Sequence, residues 1–210
     1  MIKTDILEVK KFFENSYRNR TLEPNRTSLL QKIAKNIAES YISNNSQVSL
    51  NFICTHNSRR SQLGQVWAFF AADYFDLNIS SYSGGTEVTA FHRNTVRTLK
   101  DVGFNFLVEE FSHQNPVYRI SFKNPSNYIL GFSKTFDDKI NKAPFIAITT
   151  CDSADENCPL ITEATSRFHL PFVDPKHSDN SSEQQATYLK TNADIASEIY
   201  YLFQTIKTLI

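Results

Sequence analysis

Val48-Ser-Leu-Asn-Phe-Ile-Cys54-Thr-His-Asn-Ser-Arg-Arg60-Ser-Gln-Leu-Gly-Gln-Val-Trp67 passes from a short apolar run through a cysteine and a polar loop to an arginine and a serine that opens a helical pattern. It reads as a strand, an anion-binding loop and a helix. The C-x5-R-S spacing of Cys54, Arg60 and Ser61 bends the intervening backbone N–H groups of Thr55, His56, Asn57, Ser58 and Arg59 around a concavity suited to a tetrahedral oxyanion. The helix that follows points its positive end into the same place and favours the thiolate. A thiolate facing a bound oxyanion is a nucleophile with its substrate in position. In an open α/β sheet such a loop lies beyond the carboxyl end of its strand, where ligands bind.

Working outward, the core reads as strand 48–53, helix 61–76, strand 79–83, helix 92–102, strand 145–150, a short strand near 168–173 and a final helix over about 183–207. Strands alternating with helices predict an α/β fold: an open parallel sheet of about four strands with helices on both faces. Ser83-Gly84-Gly85-Thr86 follows the second strand, and its small residues allow close backbone approach, or make a plain turn. Before the core, residues 5–18 place Ile6, Val9, Phe12, Phe13 and Tyr17 on one helical face, and residues 27–43 do the same with Leu30, Ile33, Ile37 and Tyr41. The two helices form an N-terminal hairpin over 1–46. It must bury its stripes against the core or a second copy of the chain. Within the core segment 47–210, residues 105–142 are an insertion. Its stretches Pro116–Phe122 and Tyr128–Phe136 alternate aromatic and β-branched residues around turn formers and predict a β-hairpin, either covering the site, supporting a dimer or decorating the sheet edge.

The 210 residues carry 22 basic and 22 acidic side chains, so no charged field for nucleic acid or a membrane surface exists. The charged start Met-Ile-Lys-Thr-Asp-Ile-Leu-Glu is unlike a secretory signal, and no run approaches a membrane span, so a soluble cytoplasmic protein is expected. The three cysteines are then expected reduced and chemical rather than structural.

The Cys54–Ser61 loop, together with Thr150-Cys151-Asp-Ser-Ala-Asp-Glu-Asn-Cys158-Pro159 and Phe172-Val-Asp174-Pro175, resembles the low-molecular-weight protein tyrosine phosphatases and the thioredoxin-coupled arsenate reductases that share their fold. The likeness covers about residues 47–104 and 143–205. It implies that Cys54 is the nucleophile, Arg60 the bidentate oxyanion clamp and Asp174 the general acid; Ser61 reads as a donor to the thiolate and Asn57 as a brace of the loop, or equally as an ordinary N-cap and turn residue. Pro175 favours an extended Asp174, which is how an acid is held out to a leaving oxygen. In reductases of this kind the first thiol attacks arsenate, the second displaces arsenite, and the third carries the disulfide to thioredoxin or a similar thiol reductant. Those roles fall on Cys54, Cys151 and Cys158. No metal or other cofactor is implied.

If 152–157 is helical, the two later cysteines stand about 10.5 Å apart along the axis, too far for the roughly 4.4–6.8 Å of a disulfide, so their pairing requires local unwinding. Read as residues alone, Cys151 also fits a core position and Cys158 an inert thiol. The chain departs from the family at His56, a common glycine, at Arg59, often a cysteine and here a loop-bracing or solvated charge, and at Gln65, where some reductases hold a potassium ion with an acid. After Asp174-Pro175 stand Lys176-His177-Ser178 where phosphatases have cleft-lining tyrosines. That difference and the cysteine pair favour an arsenate reductase over a phosphatase acting on phosphomonoesters through a Cys54 phosphocysteine. A non-catalytic oxyanion-binding module is the third reading. Against it stand Cys54, Arg60 and Asp174 together.

Overall fold

A computed structural model describes residues 6–157 and 160–210. Four parallel strands make the central sheet in the order β2 (Ile79–Gly85), β1 (Val48–Cys54), β6 (Phe145–Thr149), β7 (Ala164–His169). Successive strand residues point to opposite faces. Leu50, Phe52, Ile146 and Ile148 therefore enter one apolar cluster, and Ile53, Phe145 and Ala147 another. The larger cluster is covered by α3 (Arg60–Tyr74) and α6 (Gln184–Leu209), with α4 (Arg93–Asp101) beside them. The smaller lies under α5 (Asp152–Asn157) and contains both Cys54 and Cys151.

The expected strand near 168–173 forms earlier, as β7. Its residues are mostly half-buried, as an edge strand allows, and beyond Leu170 the chain meets Pro171, which has no N–H for a ladder. The insertion also differs from a two-stranded hairpin. β3 (Asn105–Glu110), β4 (Val117–Ser121) and β5 (Ile129–Gly131) form an antiparallel sheet in that order. Asn105–Glu110 carries little apolar patterning because most of its side chains face solvent on the edge; backbone pairing to β4 makes it a strand. β5 ends at Gly131 because the chain there turns away to reach the loop after Cys54.

The N-terminal helices α1 (Ile6–Arg18) and α2 (Pro24–Ser43) both pack on α6. Their stripes, with Val9, Phe13, Leu30, Ile33 and Ile37 fully buried, join the main apolar cluster of the same chain. Phe13 stacks on Trp67 at 5.4 Å between centroids, and the indole N–H donates to Asn192 Oδ1 at 2.7 Å. Two arginines at the hairpin turn, Arg20 and Arg26, converge on buried Glu198 of α6 at 2.9 and 2.7 Å. Burial raises the Glu198 carboxyl from its ordinary value, and the arginine partners oppose that rise. Asn45 and Ser46 close the hairpin in the left-handed region, at φ 53° and 59°. Among the described residues no helix is long and apolar enough to cross a membrane.

Candidate active site

Cys54 ends β1 and Arg60 begins α3, so the loop between them is suspended over the carboxyl end of the sheet. Each carbonyl inside it has an outside partner. Thr55 O accepts from Glu87 N at 2.8 Å and Thr86 Oγ1 at 3.2 Å; His56 O accepts from Ser133 Oγ at 2.8 Å and Thr89 Oγ1 at 3.1 Å. Asn57 O accepts from Gln62 Nε2 at 3.0 Å, Ser58 O from His92 N at 3.1 Å, and Arg59 O from Leu63 N at 2.9 Å. With the carbonyls held on the outside, the N–H groups are the donors left to the concavity. Gly85 abuts the loop: a Cβ there would stand 2.6 Å from Thr55 O and 2.8 Å from Asn57 N. The close approach anticipated for the Gly84-Gly85 pair is real.

Asn57 links the loop to the Ser61 hydroxyl beside Cys54. Its backbone adopts φ 45°, which asparagine tolerates better than most residues. The Lys134 N–H donates to Asn57 Oδ1 at 3.0 Å, so the other end of the amide is the NH2, and this donates to Ser61 Oγ at 2.8 Å. Ser61 Oγ, having accepted there, lies 3.0 Å from Cys54 Sγ with its own proton still to place. The thiol itself is only 3% exposed.

Arg60 reaches across to the acid loop. Its Nη2 lies 2.6 Å from Asp174 Oδ2 and its Nη1 donates to Phe172 O at 3.1 Å, while its buried Nε has no protein partner among the described residues. The oxyanion clamp and the general acid named from the sequence are thus in direct contact. Arg59 is mostly buried and turned away from the concavity, with Nε on Tyr188 Oη at 2.6 Å and Nη2 on Asp179 Oδ2 at 2.7 Å. His56 faces outward and pairs with Glu87 at 3.3 Å; the Ser58 side chain is buried with the loop.

Cys151 follows β6, is 4% exposed, and places Sγ 3.6 Å from Thr55 Oγ1, the residue after the nucleophile. The expected helix is present as α5. It is tied down at its start: Asp155 Oδ1 accepts from Thr149 Oγ1 at 2.7 Å and from Arg167 at 2.6 Å, and Asp152 Oδ1 lies 3.0 Å from His169 Nε2. Cys158 lies outside the described residues.

Sequence reasoning placed Phe132–Thr135 in a hairpin strand and missed its contacts with the loop. The stretch carries no motif, yet Phe132 O accepts from Gln62, Ser133 Oγ bonds both His56 O and Thr89 N, and Lys134 N fixes Asn57. The insertion therefore supports the loop from behind. Lys134 itself is 2% exposed, and its Nζ has no hydrogen-bonding partner among the described residues. Burial depresses its amine to about 8, against a weak opposing pull from Asp138. Nearby Gln65 accepts from Ser83 Oγ at 2.6 Å and donates to Ser81 O and Leu130 O. Both ends of the Gln65 amide are thus hydrogen-bonded.

No protein-family model matches the chain. Among curated proteins it is similar to the arsenate reductase of Bacillus subtilis, 27% identical over 143 residues that span 68% of this chain and 85% of the relative. It is also similar to the arsenate reductase of Staphylococcus aureus (strain Newman), 30% identical over 128 residues that span 60% of this chain and 78% of the relative. A solved low-molecular-weight protein tyrosine phosphatase from T. tengcongensis shares the fold at a TM-score of 0.51 with 15% identity, covering 75% of this chain and 98% of that one. A relative of 30% identity matched over most of its own length, on a fold common to the two enzyme groups, settles kinship: the chain belongs to the arsenate reductase family, whose fold is that of the low-molecular-weight tyrosine phosphatases.

Proposed function

We propose that this chain reduces arsenate to arsenite through a relay of Cys54, Cys151 and Cys158, with a thioredoxin-class dithiol as electron donor. Cys54 thiolate attacks arsenate bound on the loop, forming a thiol–arsenate bond as an arsenate oxygen leaves as water. Cys151 thiolate then attacks Cys54 Sγ. A Cys54–Cys151 disulfide forms, the sulfur–arsenic bond breaks, and its electron pair reduces arsenic as arsenite departs. Cys158 attacks Cys151, which frees Cys54, and the external dithiol reduces the Cys151–Cys158 disulfide by exchange.

The observation that carries this reading is the position of Cys151: a second buried thiol against the anion loop, in the apolar cluster that contains Cys54. Ester hydrolysis has no use for it. The Asp174 carboxyl beside Arg60 supports a companion activity on aryl phosphates, in which water rather than a thiol resolves the Cys54 adduct. The test is peptide mapping after arsenate treatment without reductant. A Cys151–Cys158 disulfide forming in step with arsenite is expected, with a trapped Cys54–Cys151 disulfide in Cys158→Ser. Free thiols and no arsenite, beside brisk aryl phosphate turnover, would give the site to the phosphatase reading.

A further inference from the structure

The loop carrying the general acid is gripped at both ends by neighbouring arginines. Arg60 holds Asp174 at 2.6 Å and Arg59 holds Asp179 at 2.7 Å. Between the two acids, Pro175–Ser178 is one 3-10 turn, closed by Asp179 N to Lys176 O at 3.0 Å and Ser178 Oγ to Pro175 O at 2.8 Å. So short a hydrogen-bonded piece moves as a unit.

The two grips differ in strength. Asp179 Oδ1 also accepts from Tyr188 Oη at 2.8 Å and Asn94 Nδ2 at 3.3 Å, which ties it to α6 and α4. His92 stands 3.1 Å from the same Tyr188 hydroxyl. The Asp174 carboxylate, apart from Arg60, accepts among the described residues only from the N–H of Lys176 in its own turn, where His177 Nδ1 also lies 2.6 Å from the Asp174 carbonyl, and its side chain is 35% exposed against 20% for Asp179. A tetrahedral dianion in the concavity competes with one carboxylate for the fork of Arg60 and outmatches it. The Asp174 grip yields; the Asp179 grip has no reason to.

We propose that Arg59, Asp179 and Tyr188 form a fixed pivot, so that Asp174 leaves Arg60 when an oxyanion binds yet stays within reach of the leaving oxygen. Arg59 is then a positioning residue acting through the acid loop, not a second anion ligand. This rests on the reading of Asp174 as general acid in ester cleavage.

Hydrogen exchange with and without saturating inorganic phosphate tests the pivot independently of turnover. In the unmodified protein, exchange at residues 173–176 should rise on phosphate while 178–180 stay protected. In Arg59→Gln and Tyr188→Phe both stretches should rise. In parallel, Tyr188→Phe should lower kcat/KM for phenyl phosphate about tenfold and leave p-nitrophenyl phosphate within about twofold, because an acid matters most for a basic leaving group. The competitive inhibition constant of phosphate should stay within about threefold in both variants, and Arg59→Lys should recover part of the phenyl phosphate rate. Protected 178–180 in the variants overturns the pivot, as does an inhibition constant raised more than about tenfold in Arg59→Gln with leaving-group dependence unchanged. Tyr188→Phe deletes one hydroxyl and keeps the test usable where Arg59→Gln fails to fold. Absence of all ester turnover would count against the acid role of Asp174 and leave the pivot to be decided by the exchange pattern.

Discussion

Asn57 and Lys134 meet at one hydrogen bond but contribute in opposite ways. Asn57 is fully used: Oδ1 accepts from Lys134 N, Nδ2 donates to Ser61, and the carbonyl accepts from Gln62. Lys134 Nζ is buried without such compensation, and its amine is depressed to about 8. In the unfolded chain a lysine holds its proton to about 10.4, so between these values the unfolded state binds more protons and stability rises with pH. The full penalty is present below about 8 and is gone above about 10.4. A shift of that size corresponds to about 3 kcal/mol. Lys134→Met should therefore be more stable than the parent protein at pH 7, by up to about that amount, and the two urea midpoints should converge toward pH 10. Equal pH profiles for both proteins would show that the amine is solvated in the folded state. At the acid, Asp174→Asn should depress cleavage of phenyl phosphate by about 10²-fold or more and of p-nitrophenyl phosphate far less. A uniform loss across leaving groups, measured as kcat/KM, would make Asp174 structural.

At the scale of elements, two short segments govern the site. The stretch Phe132–Thr135 after β5 is positioned by the small antiparallel sheet and closes on the anion loop through Ser133, whose hydroxyl joins His56 O and Thr89 N. Ser133→Ala takes from Thr89 N its hydroxyl partner and leaves His56 O with Thr89 Oγ1 alone, at a cost of about 1–3 kcal/mol, and should weaken phosphate inhibition because the loop loses its brace. Thermal unfolding and inhibition measured together check this; lost stability with unchanged inhibition would confine the contact to folding. The other segment is α5. Its six residues are held by Arg167, Thr149 and His169 on Asp155 and Asp152, while the proposed thiol exchange with Cys158 would need it to unwind. Arg167→Gln removes the strongest tie. Hydrogen exchange over 152–157 should quicken, and the Cys151–Cys158 disulfide should form faster after arsenate.

For the whole molecule, the N-terminal hairpin is part of the main core. Phe13 is fully buried, stacks on Trp67 and meets Phe70 edge-on at 5.2 Å. Phe13→Ala should cost about 3–5 kcal/mol, read from urea denaturation. The hairpin also reaches the catalytic end: Arg26 donates to Pro171 O at 2.9 Å and covers the Phe172 ring at 4.9 Å, just before the acid loop. Arg26→Ala removes this support and leaves Glu198 with Arg20 alone, so lost stability and a slower aryl phosphate rate should appear together.

The parallel sheet, the loop after Cys54 and the stripes of the two N-terminal helices were all legible in the sequence. Each depends on neighbouring residues: alternation in a strand, 3.6-residue periodicity in a helix, and a six-residue step from cysteine to arginine that closes one turn of backbone. Tertiary structure decided what depends on partners far along the chain. Arg59 became a buried ligand of Asp179 and Tyr188 because α6 crosses that side of the loop, and no local pattern announces a contact 129 residues away. Asn105–Glu110 became a strand through its pairing to β4, and Phe132–Thr135, read from the sequence as part of a hairpin strand, became a brace through Phe132 O, Ser133 Oγ and Lys134 N. Local spacing thus specified the loop from Cys54 to Arg60, while the placement of its supports followed from which surfaces the packed helices and the second sheet brought against it.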